Sequence, residues 1–90
     1  MVNDERSRLF DDAVEMFLAI AEFISSSDEY DERLVSSAIQ YSAARVNALE
    51  ASSNCDCLAY RKADATKGYT SVYKSMFETH VDIIIENSSR

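Results

Sequence analysis

Apolar residues recur along this chain at intervals of three and four, the spacing that stacks side chains on one side of an α-helix. From about Asp4 to Ile24 the set is Phe10, Ala13, Val14, Phe17, Ile20, Ala21 and Ile24, with Asp4, Arg8, Asp11, Glu15 and Glu22 opposite. One face is expected to pack and the other to be solvated, with Asp4 and Arg8 spaced for a surface ion pair. Ser25, Ser26, Ser27 and Asp28 open a polar interruption that runs to Glu32. Its oxygens suit a helix start, so a second helix is predicted to begin between Asp28 and Asp31. That helix turns Val35, Ala38, Ile39, Ser42, Val46 and Leu49 inward and ends near Ala51. Its many small residues would let a neighbour approach closely, which makes it the central helix.

Ser52 to Asp56 is the next break, with Asn54 and Asp56 as alternative caps. A third helix from about Cys57 to Glu86 carries the stripe Ala65, Tyr69, Val72, Tyr73, Met76, Phe77, His80, Ile83 and Ile84. It would be about 45 Å long, against roughly 30 Å for the other two, so part of it must overhang. Gly68 costs about 1 kcal/mol in a helix interior, and a kink, a break or a close crossing is expected there.

The chain has no proline and one glycine, so it lacks the punctuation that sheet turns demand. The expectation is an all-α, three-helix up-down bundle, a single helical domain over residues 1–90, whose long third helix is kinked or broken near Gly68. Ninety residues allow only a modest core and no elaborate enclosed cavity.

Charge is unevenly placed. Residues 1–50 hold eleven acids and four bases, and residues 51–90 hold five of each, so the first half carries the whole net charge of -7. Such a surface repels phosphate backbones and anionic headgroups, which argues against direct nucleic-acid or membrane binding. The longest apolar run, Met16 to Ala21, is too short to span a bilayer. The acidic start around Asp4 and Glu5 is unlike a signal peptide, and the cytoplasm is the expected compartment. Cys55 and Cys57, one residue apart, are then expected to be reduced. The Asn87-Ser88-Ser89 sequon has meaning only in a secreted protein.

Catalytic and metal chemistry find little to work with. His80 sits on the apolar stripe, where a core or boundary histidine is the plain reading. Cys55-Asp56-Cys57 has the wrong spacing for structural zinc, and Glu78-Thr79-His80 is one residue short of the pair used in di-metal bundles. No enzyme activity, cofactor or metal is expected. Asp11, Asp12, Glu15 and Glu22 read most simply as a solvated helix face, with partner binding as the sharper alternative. Arg45 amid small residues is expected to be buried and paired with a carboxylate from a neighbouring helix, or else to hold a ligand. Ile83, Ile84 and Ile85 point in successive directions, so one packing face cannot bury all three. Ile85 is therefore a candidate contact residue, either in a homodimer or at a frayed terminus.

The run from Val35 to Ala48, with its Tyr41-Ser42-Ala43-Ala44-Arg45-Val46-Asn47-Ala48 centre, resembles the central segment of a small bacterial family, domain of unknown function 3144. Tyr73-Lys74-Ser75-Met76-Phe77-Glu78, followed by Val81 and Asp82, is similar to that family's ending. Ser42, Val46 and the triple isoleucine depart from its pattern. The resemblance implies a short helical cytoplasmic protein with no assigned activity, and it singles out Tyr41, Arg45 and Asn47 as a motif on the second helix, serving either packing or, if function, a polar recognition spot.

Two functions from different classes fit. The first is a non-catalytic interaction or regulatory module, in homodimeric form or bound to another protein, that uses an acidic helix face or a leftover apolar edge. The alternative is a phage-type acidic inhibitor, an anti-defence or nucleic-acid mimic whose carboxylates imitate phosphates in a basic groove of its target.

Overall fold

The computed structural model describes residues 2–89, which form three helices: α1 (Val2–Ser25), α2 (Glu32–Ser53) and α3 (Leu58–Ser88). The described residues contain no strand, so the fold is all-α as expected. Helix α1 contacts α2, and α2 contacts α3. Between Ala44 and Arg45, inside α2, the chain divides into two compact units. The first pairs α1 with the start of α2, and the second pairs the rest of α2 with α3.

Local chemistry explains the element ends. Asp31 is the residue just before α2, and its Oδ1 accepts a hydrogen bond from the Leu34 amide at 2.8 Å. This satisfies one of the amides that a helix start leaves without a partner. Ser27 Oγ accepts from the Glu29 amide at 3.3 Å and shapes the preceding turn. The expected caps of α3 are not the ones used. Cys57 occupies the cap position and makes no side-chain cap hydrogen bond, while Asn54 continues the end of α2 by donating its amide to the Glu50 carbonyl at 3.2 Å.

Helix α3 runs unbroken through Gly68, and a Cβ built there meets nothing within 4 Å. The expected break and close crossing are therefore absent. One glycine costs too little to end a helix of 31 residues whose other backbone bonds hold. Several hydroxyls turn back on their own helix. Thr66 Oγ1 donates to the Lys62 carbonyl at 2.8 Å, Thr70 Oγ1 to the Thr66 carbonyl at 2.7 Å, and Thr79 Oγ1 to the Ser75 carbonyl at 2.9 Å.

Burial departs most from expectation. Val35, 7% exposed, is the one buried hydrophobic residue among those described, with Ala21 and Ile24 half-buried in the same unit. In the second unit Leu58, Ala65 and Tyr69 are half-buried and nothing is fully covered. The remaining members of the expected packing stripes, Phe10 and Phe17 among them, are exposed. Two helices meet along a single line, and enclosing their side chains takes a further layer that a helix pair does not contain.

Candidate functional site

Helix α1 carries the most differentiated surface of the first unit. At about 100° per residue, Asp11, Glu15 and Glu22 fall within a narrow arc, and all three are exposed. Asp12 lies about 80° from the middle of that arc, next to Phe23 on the helix circumference, and its Oδ2 accepts from Arg8 at 3.4 Å. Arg8 also reaches Glu5 at 4.0 Å, so the ion pairing on this face centres on Arg8. Asp11, Glu15 and Glu22 make no ion pair among the described residues. All these groups are well solvated, and the pairs contribute little to stability.

The apolar residues of α1 occupy about 220° of its circumference, more than twice the width a single packing contact uses. They form two adjacent seams, each with alternating steps of four and three. The first seam is Phe10, Val14, Phe17, Ala21 and Ile24, which includes the half-buried Ala21 and Ile24. The second is Leu9, Ala13, Met16, Ile20 and Phe23, and every member is exposed. Leu9, Met16 and Phe23 were absent from the stripe expected above. The signal was present in the sequence as a second heptad offset by one residue, visible only when both flanks of the wheel are read.

In the second unit Arg45 is exposed and makes no ion pair or side-chain hydrogen bond among the described residues. The expectation of a buried, paired guanidinium is thus corrected, because small neighbours do not cover a side chain long enough to reach past them to water. Arg45 and Asn47 stand two positions apart on one helix and project about 160° from each other, so they share no side. Tyr41 belongs to the first unit and is exposed. Ile85 is exposed, as are Ile83, Ile84 and His80. Tyr73 and Phe77 stack at a centroid distance of 6.0 Å.

One contact was not foreseen. Tyr69 Oη donates to Glu50 Oε1 at 2.5 Å, joining α3 to α2. The hydrogen bond to Glu50, then desolvation and the carboxylate's charge, raise the tyrosine pKa above its ordinary 10.0. The partners lie 19 positions apart, and no local spacing announces them.

Among the described residues no group of three or more His, Cys, Asp or Glu side chains is placed to hold a metal. Cys55 is half-buried and Cys57 exposed, both as free thiols. Two surface depressions, one by Arg6, Phe10 and Asp11 and one by Tyr60, Ala63 and Lys67, each lie along a single helix and enclose nothing. Among the described residues no helix is long and apolar enough to cross a membrane.

The family model described as Protein of unknown function (DUF3144) matches residues 10–85. The chain belongs to this family. The DUF3144 match takes in most of α1, all of α2 and α3 to Ile85, so it covers most of both units. No curated protein and no solved structure matches the chain.

Proposed function

We propose that this DUF3144 member is a non-catalytic protein–protein interaction module whose working surface is the apolar side of α1. The observation that supports it is the exposure of large side chains there, up to 73% for Phe17 and 78% for Phe23, on a helix where Asp11, Glu15 and Glu22 gather on another side. Single exposed hydrophobics are ordinary, but a contiguous strip along one helix is an association surface. What such a surface offers is apolar area and shape, which recognise another protein rather than transform a small molecule. Ile85 at the far end of α3 adds a second exposed apolar edge. The reading places the chain in the cytoplasm, where Cys55 and Cys57 stay reduced.

The acidic-inhibitor reading draws on a different observation, the three carboxylates Asp11, Glu15 and Glu22 without ion pairs among the described residues. A pull-down from the native host at low and high salt separates the two. Capture that survives high salt and is lost with Phe23→Glu fits the module. Capture lost in high salt and abolished by neutralising Asp11, Glu15 and Glu22 fits a phosphate mimic, because screening removes that attraction. Retention by both variants would overturn α1 as the surface.

A further inference from the structure

We infer that the exposed second seam of α1 is covered by the same seam of a second copy of this chain, the two α1 helices running antiparallel about a two-fold axis. The inference rests on the interaction-module reading and names its partner. Area is the first argument. Leu9, Phe10, Met16, Phe17, Ile20 and Phe23 are 53%, 57%, 66%, 73%, 55% and 78% exposed. At up to roughly 200 Å² for each large side chain, at most about 750 Å² per copy is open to be covered, just under the roughly 800 Å² that each partner contributes to a standard interface.

Self-complementarity is the second argument. An isologous contact requires that residue i meet residue j and j meet i. Antiparallel seams with heptad spacing meet as Leu9 with Ile20 and Ala13 with Met16, each pair repeated by the axis. The smallest seam residue thereby faces the longest unbranched one. The same register sets Phe10 of one copy against Phe17 of the other, and Arg6 over the ring of Phe23. Arg6 makes no ion pair among the described residues, and α1 has no basic residue in its last turn. An antiparallel neighbour brings a cation to that carbonyl end, where it is favoured. A parallel pair would instead stack Arg6 on Arg6 and Ala13 on Ala13.

Charge is the third argument. A chain with net charge -7 associates with itself only if its carboxylates stay apart. Asp11, Glu15 and Glu22 lie on the side of α1 away from the seam, while Glu5 and Asp12 flank it and in this register face the uncharged end of α1 and Ala19 of the second copy rather than each other.

The test uses the full chain in sedimentation equilibrium from about 1 to about 100 μM, a range in which linked association is visible. A species of twice the 10.1 kDa chain mass is expected. Met16→Glu buries an unpaired charge in the seam and should weaken the dimer by about 100-fold or more, while Leu18→Glu, the same change on the other flank, should leave it intact. Should Met16→Glu unfold, a second measurement uses a C55S/C57S background. A short bismaleimide should then join a chain carrying Leu9→Cys to one carrying Ile20→Cys in preference to joining either with itself, since the self-pairs lie about 16 Å out of register. A monomer at every concentration, a dimer indifferent to Met16→Glu, or preferred Leu9→Cys self-linking would overturn the inference. A monomer that still captures another protein through α1 leaves the module reading standing, and one that captures nothing removes both.

Discussion

The hydrogen bond from the Leu34 amide to Asp31 Oδ1 sets where α2 begins, and its removal has a calculable effect. Asp31→Ala deletes the acceptor at 2.8 Å and leaves the third amide of the helix to water. Because Asp31 is exposed, water replaces the lost bond in part, which puts the cost near the middle of the capping range, about 1 kcal/mol. Removing a negative charge from the positive end of the helix adds a few tenths, or about 0.3 kcal/mol. For a chain of 90 residues this lowers the melting temperature by about 7 °C. The assay is thermal unfolding by far-ultraviolet circular dichroism at one fixed protein concentration, since association would also move the midpoint. Asp31→Asn keeps an oxygen in place and should fall within a degree or two of the parent, about a third of the alanine effect or less. Equal melting of the alanine and asparagine variants, or no shift in either, would refute the assignment of Asp31 as the cap.

Other outcomes follow from single contacts. Gly68→Ala meets open space and no unusual backbone angle, so it should stabilise the chain by about 0.5 to 1 kcal/mol in the same melts. Tyr69 should ionise above 10.0 in an ultraviolet titration, and Glu50→Gln should bring it back down. Because the fold raises this pKa, the stability the pair provides is fully present below the unfolded value and is lost as pH rises through the folded one. Arg8→Ala should change stability by about 0.5 kcal/mol or less and less still in high salt, since both its ion pairs are solvated.

Helix type and position were legible because they depend on spacing within one segment. The stripe of α1, the Ser25 to Glu32 interruption and the start of α3 all fall within a few residues of where the periodicity puts them. What covers a stripe is another matter, since a heptad fixes which side chains share a face and is silent on the neighbour. Phe17 reads as core on the wheel and stands open in the folded chain. Arg45 is exposed for a related reason, since small flanking residues allow a close neighbour without supplying one. Asn54, Asp56 and Cys57 compete for one cap position, and the geometry of the turn, unreadable from composition, chose the residue with no capping oxygen. The Tyr69–Glu50 contact depends on how α2 and α3 meet, and residues so far apart in sequence leave no local trace.

The back-bonded threonines of α3 alter how its polar side can be addressed. With the Thr66 and Thr70 protons already aimed at carbonyl oxygens of their own helix, these hydroxyls keep only lone pairs for outsiders. Between Lys62 and Thr70 the ammonium groups of Lys62 and Lys67 remain as donors, while the alcohols act as acceptors alone. Any molecule that meets this stretch must bring N–H or O–H groups to the threonines and carbonyl or carboxylate oxygens to the lysines, a stricter demand than the residue names suggest.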